Sequence, residues 1–191
     1  MANIDNAYRG FEPVARLDGS DIPVRRFHVD GDGATAIYIG DLIDAEADGC
    51  VIAAAADAGD SLLGACVAVY DSNGVPCGAP NSSVSTKYLT GSTEGYVDVA
   101  LALPDSVFKC QALTGTTPTA ADVFMASNHT AGAGSTTLAR SGHELTCTFS
   151  AANQFKVIGK VDEPGNDWGA HVDLLVVASE SFWLSGDANG L

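Results

Sequence analysis

The sequence predicts a mostly β protein: a single compact β-barrel or β-sandwich with one or two short helices and an extended N-terminal arm. Three observations predict it. Twenty-one Gly and seven Pro are spread along the 191 residues and divide them into short pieces. Between these breaks stand short runs rich in Val, Ile, Leu and aromatic residues, flanked by turn formers, which is the pattern of strands joined by tight connections. Long runs of Leu, Glu, Lys and Arg, which a sizeable helix needs, do not occur. The length suits one domain. A domain of this size hides roughly 70% of the surface its unfolded chain exposes.

Residues 1–26 read as the arm, and residues 27–191 as the β-rich body. The arm has aromatics and arginines but no sustained period of two or 3.6. Pro13 and Pro23 bias their neighbours toward extended backbone. In the body, Asp30-Gly31-Asp32-Gly33 is a turn; it lacks the third acidic position of a calcium loop, because Ala34 follows Gly33. Residues 35–39 alternate as a short strand. Leu42-Ile43 leads into an acidic stretch with Asp44, Glu46 and Asp48, and residues 50–56 favour strand through Val51-Ile52. Residues 62–70 form a strong apolar run, and Asn73-Gly74 behind it is a hairpin signal. Residues 75–86 are loop. Residues 94–103 and 106–113 alternate as strands around the Pro104-Asp105 turn.

Further on, Thr119 with Asp122 three residues later predicts one short capped helix. Residues 127–137 read as a Gly, Ser and Thr loop, and residues 138–149 as an edge-like strand. Residues 155–177 give the clearest strand–turn–strand signal. There the turn formers Pro164, Gly165, Asn166 and Asp167 separate two apolar runs, and the anionic Asp162, Glu163 and Asp167 mark a solvated tip. Phe182-Trp183-Leu184 precedes a polar tail.

A net charge of −15 argues against a nucleic-acid partner, since phosphate binding needs Lys and Arg. It also disfavours anionic membranes. The charge is unevenly placed. In the arm Arg9, Arg16, Arg25 and Arg26 balance Asp5, Glu12, Asp18 and Asp21, so the body carries the whole excess. Every arginine except Arg140 lies in the arm, and residues 27–86 contain no Lys or Arg. An arm with these arginines, Tyr8 and Phe11 is expected to dock on a neighbouring protein, a sister subunit or a shell, by forked Arg–carboxylate bonds and apolar anchors. Trp168 and its loop are the next candidate contact.

Cys50, Cys66, Cys77, Cys110 and Cys147 are odd in number and show no C-x-x-C spacing, which predicts reduced thiols in a reducing cytosol. The opening residues show no apolar signal region, and the longest apolar run is interrupted by Asp57 and Asp60, so no transmembrane helix is expected.

Catalytic motifs are missing. Residues 91–95 and 132–136 both fail the nucleophile-elbow pattern. His28, His129, His143 and His171 are far apart, without H-E-x-x-H, and His143-Glu144 reads as a surface pair. No phosphate loop or dinucleotide fingerprint occurs. No catalytic residue, cofactor or metal is therefore expected. Trp168 and Trp183 leave open a β-type carbohydrate-binding module as an alternative.

Several spaced fragments resemble a family of tailed-bacteriophage head decoration, or capsid cement, proteins. They are Met1-Ala2-Asn3-Ile4 with Gly10-Phe11 and Pro13-Val14, the turn Ile39-Gly40-Asp41, and Leu63-Gly64 followed by Tyr70-Asp71 and Gly74. They continue with Pro104-Asp105, Val107-Phe108, Gln111-Ala112 and the stretch after Thr119. The most specific fragment holds Gly159, Val161-Asp162, Pro164, Asn166 and Trp168-Gly169-Ala170. The chain departs from the expected Leu-Gly-Val-Phe pattern at Leu63-Gly64-Ala65-Cys66, and residues 44–60 look particular to it. The resemblance implies a structural virion protein on the outer capsid surface, made in the bacterial host cytoplasm. It implies the major capsid protein and its own copies (a dimer or trimer) as partners.

Overall fold

A computed structural model describes residues 3–5, 8–56, 62–150 and 153–184. In chain order the strands are β1 (Glu12–Arg16), β2 (Val24–Val29), β3 (Leu42–Ala45), β4 (Val51–Ala53), β5 (Leu62–Asp71) and β6 (Gly95–Leu101). They continue with β7 (Ser106–Gln111), a 3-10 helix (Ala120–Asp122), β8 (Ala126–Ser127), β9 (His129–Thr130), β10 (Glu144–Leu145), β11 (Phe155–Lys160) and β12 (Asp173–Ala178). Two antiparallel five-stranded sheets form a sandwich. One has the order β1-β7-β12-β11-β8, the other β2-β6-β5-β3-β4, and β9 and β10 make a separate ribbon. The sheets stay open, so the sandwich and not the barrel is the fold.

The sequence periods explain the layers. Along β5, Leu62 faces one core and Leu63 the other; an irregularity opposite Ile43 and Asp44 shifts the phase so that Ala65 again faces the first and Cys66 the second, and a bulge between Cys66 and Ala68 shifts it once more. The first core lies between the sheets and holds Phe11, Leu42, Phe108, Leu145, Phe155 and Leu174. The second lies on the far face of the β2-β6-β5-β3-β4 sheet, under loops that contribute Ile37 and Leu89. Gly64 permits the close contact of β5 and β6: its φ is +155°, and a Cβ there would sit 2.0 Å from the Ala100 carbonyl oxygen.

The hairpin of β11 and β12 forms as expected, with Phe155 opposite Ala178 and Lys160 opposite Leu174. Asn166 closes its loop. The side-chain amide donates to the Val161 and Asp173 carbonyls at 2.8 and 2.9 Å and accepts from the Asp173 N–H at 2.9 Å. Thr119 caps the 3-10 helix reciprocally with Asp122. Gly74 supplies positive φ in the turn after β5, but the returning chain makes only a bridge, Tyr70 to Pro76.

Several boundaries need correction. The division at residues 26 and 27 falls inside β2, and residues 12–16 are β1, so the extended segment is laid down as a strand of each sheet. Both are edge strands, which bury few side chains and therefore show no alternation; their register comes from backbone pairing with β7 and β6. Pro13 is tolerated there because an edge strand has one side without a ladder. Residues 35–39 make bridges only, at Ile37 and Ile39. The strand expected over 138–149 shrinks to β10, since Ala139 and Cys147 both take φ of 52°. The expected loop after Ala126 instead contains β9.

Candidate functional site

The sequence pointed to the N-terminal segment, and most of its polar anchors bind the chain's own body. Arg9 Nη1 lies 2.6 Å from Asp173 Oδ2. Arg16 donates to Asp105 Oδ2 from Nε and Nη2, at 2.9 and 2.6 Å. Arg26 grips Asp98 as a fork, at 2.8 and 3.1 Å, while its guanidinium lies 3.8 Å from the Tyr70 ring centre. Tyr70 donates its hydroxyl proton to the same carboxylate at 2.8 Å, so the Asp98 carboxyl sits below its usual range, chiefly through the Arg26 bonds. Phe11 is fully buried, 4.8 Å from Phe155 between ring centres. It reaches the core because Gly10 crosses Gly40 at close range and the Phe11 N–H donates to the Gly40 carbonyl at 2.9 Å. Asn3 pins the start of the chain to the hairpin loop, donating to the Asp167 and Ala170 carbonyls and accepting from the Asp167 N–H. Trp168, in that loop, is half-buried against the inter-sheet core.

Apolar side chains are among what remains outward, beside the exposed Asp18, Ser20 and Asp21 of the link between β1 and β2. Tyr8, Val14, Leu17 and Val24 are 49, 54, 63 and 51% exposed, and Arg25 is exposed with no ion pair among the described residues. The topology gathers these groups. Strands β1 and β2 are edges of different sheets, lying beside β7 and β6. The link from β1 to β2 runs alongside the link from β6 to β7: Leu17 N–H donates to the Asp105 carbonyl, and Leu101 N–H to the Pro23 carbonyl, at 2.9 and 3.0 Å. Both open edges therefore lie on one flank of the sandwich.

A second constellation was invisible in the sequence. Asp41, Ser141 and His143 meet beside a cleft of about 320 Å³ whose other walls include Tyr38, Ala54 and the small residues 131–134. Asp41 and His143 are buried, with His143 Nε2 3.5 Å from Asp41 Oδ1. His143 Nδ1 accepts the Leu42 N–H at 3.3 Å, so the imidazole proton sits on Nε2, facing Asp41. Burial pushes Asp41 up to about 6, against hydrogen bonds from Ser141 and the Tyr38 N–H. Burial, then the neighbouring His129, pushes His143 down to about 3. These three residue types resemble a hydrolase triad, but the connectivity is wrong. The Ser141 hydroxyl bonds to the carboxylate and accepts from the backbone N–H of His143 at 3.0 Å, so no base is aimed at it. The group is a buried lock between residues about a hundred positions apart in the chain, which is why no local motif announces it.

The expected surface pair His143-Glu144 is also corrected: both side chains are buried. Burial, then Asp5, raises the Glu144 carboxyl to about 7. Asp44 is raised to about 7 by burial alone. All five cysteines are free, and burial pushes Cys66 and Cys110 well up.

Comparison with protein-family models, curated proteins and solved structures finds no match for this chain. The resemblance to decoration proteins thus rests on its own fragments. Their residues lie at joints of the fold: Asn3 on Asp167, Gly10 on Gly40, Gly64 on Ala100, Asn166 across its loop. No helix among the described residues is long and apolar enough to cross a membrane.

Proposed function

We propose that the protein is a structural virion component, a decoration protein that binds the outer surface of a bacteriophage capsid through protein–protein contacts and acts as a homo-oligomer. The observation that carries this reading is the flank where β1 and β2 leave both sheets open. Val14, Leu17, Val24 and Arg25 are exposed on these two strands and the link between them, which also exposes Asp18 and Asp21, on a chain whose net charge is −15. Open edge strands with apolar side chains are places where another chain adds on. A cement function needs such a surface and no chemistry, and the buried Asp41–His143–Ser141 group offers no aimed nucleophile. The carbohydrate alternative keeps one exposed ring, since Trp183 is 36% exposed beside Phe182, but neither indole is free to face a ligand squarely. Trp168 packs inward, and Trp183 donates its indole N–H to the Leu63 carbonyl at 2.8 Å.

The test is the triple variant V14E/L17E/V24E, mixed with capsids of the phage that encodes the chain and sedimented. These side chains are exposed, so the variant keeps its far-UV circular dichroism. The wild type cosediments in high copy and the variant at least about tenfold less, as the loss of a central apolar contact of ~2 kcal/mol implies. Equal cosedimentation of the two proteins, or none by the wild type, sinks the proposal.

A further inference from the structure

We propose that His28, Asp30, Asp48 and Cys50 form a binding site for a divalent transition metal of the zinc type, which clips together the two open edges of one sheet. His28 belongs to β2 and Cys50 immediately precedes β4, and these are opposite edge strands of the same sheet, with no ladder between them. Even so, Cys50 Sγ lies 3.4 Å from His28 Nδ1. Carboxylate oxygens of Asp30 and Asp48 and the Cys50 sulfur all lie within 4.8 Å of one another. Around a tetrahedral zinc with its usual bond lengths, neighbouring ligand atoms are about 3.5 Å apart; the thiol–imidazole pair already has that spacing, and rotation of the Asp30, Asp48 and His28 side chains is needed to bring the other atoms to it.

Local structure explains the convergence. His28 and Asp30 are two residues apart leaving β2, and Asp48 and Cys50 are two apart in the tight turn after β3. Asp30 Oδ1 is held by the Asp32 N–H at 3.0 Å, and Asp48 Oδ1 by the Cys50 N–H at 2.9 Å. The imidazole is independently oriented: its Nε2 faces Glu94 Oε1 at 3.2 Å, which leaves Nδ1 toward the sulfur. A carboxylate behind the far ring nitrogen is the usual arrangement for a metal-ligating histidine, because it fixes the tautomer and strengthens the ligand. The combination of thiol, imidazole and carboxylate selects a borderline-soft ion over calcium or magnesium, which take oxygen alone. Asp32 and Glu46 add negative charge near the cluster, and residues 27–86 contain no Lys or Arg to balance it.

The signal escapes sequence inspection because the pairs are separated along the chain and joined only by the curl of the sheet. The site lies at the end of β2 remote from Val24, so it is separate from the proposed docking flank.

The experiment titrates the reduced, full-length protein with Co²⁺ and follows its absorption spectrum, then displaces Co²⁺ with Zn²⁺. One equivalent of Co²⁺ should give visible bands of tetrahedral intensity and a near-ultraviolet thiolate-to-metal band. C50S should abolish the thiolate band, while C77S, which alters another half-buried thiol, keeps it. D48N and E94Q should each weaken Zn²⁺ binding by about tenfold or more, read by calorimetry. Both alter exposed carboxylates and leave the fold intact, so they test the site even if C50S misfolds. Cobalt bound without a thiolate band, a band that survives C50S, unchanged affinity in D48N, or no binding at millimolar metal would each overturn the proposal.

Discussion

Replacing Asp44 by Asn should stabilise the protein at neutral pH and change little in acid. Asp44 sits in β3, buried, opposite Ile52 of β4 and Leu62 of β5. Its Oδ1 has no hydrogen-bond partner among the described residues. Burial alone raises its carboxyl from 3.8 to about 7. The sign follows from proton counts. Between those two values the unfolded chain has released the proton and the folded chain keeps it, so stability falls as pH rises through the window. Each pH unit is worth 1.36 kcal/mol, so a shift of this size represents at most roughly 4 kcal/mol, fully lost only above about pH 7. Asn is neutral throughout and nearly the same shape, so it avoids that loss. Urea unfolding followed by the fluorescence of Trp168 and Trp183 gives the difference between D44N and wild type at each pH. The difference should be near zero at pH 4 and reach about 2–4 kcal/mol in favour of D44N by pH 8. Asp41, Glu144 and His143 also titrate across this range, but they are common to both proteins and largely cancel in the difference. A D44N protein no more stable than wild type at pH 8, or an advantage that does not grow with pH, would refute the reasoning.

Two further outcomes are expected. F11A removes a fully buried ring packed on Phe155 and should cost about 3–5 kcal/mol, read from the urea midpoint. In native protein Cys66 and Cys110 should stay unreactive to a thiol reagent while the half-buried Cys77 and Cys147 react slowly, and all five should titrate after denaturation; fast labelling of Cys66 would contradict its burial.

Much of the fold was legible because the strong signals were local. Leu62–Asp71, Gly95–Leu101 and the β11–β12 hairpin announce themselves by β-branched runs between turn formers, and the Thr119 cap needs only Asp122. Partnership across the chain was not legible. Ile37 and Ile39 look like a strand but find only bridges, and Ile37 instead covers the second core. Asp41 and His143 carry no mutual signal in the sequence, and burial decides their protonation. The arginines of the first segment were recognised as forked donors, yet their carboxylates proved to be Asp173, Asp105 and Asp98 of the same chain.

That last result changes what the uneven charge means. The acidic body keeps three of its carboxylates folded against Arg9, Arg16 and Arg26, so the first segment acts as an internal counter-charge before it acts on anything else. Pairs of this kind are worth little singly where exposed; here Arg16 at the end of β1 and Arg26 within β2 reinforce strands whose register the backbone pairing with β7 and β6 sets, and Arg9 ties the chain ahead of β1 to Asp173 of β12. Removing residues 2–22 would therefore strip Phe11 from the core and β1 from its sheet, and would test folding rather than docking. The proposed docking is tested at groups this arrangement leaves outward, among them Val14, Leu17, Val24 and Arg25. Arg16 and Arg26 tie the two edge strands, and Phe11 the chain just ahead of β1, to the body behind them. An edge already tied to the body loses less conformational entropy when it meets a partner than a loose arm, which would have to be ordered first.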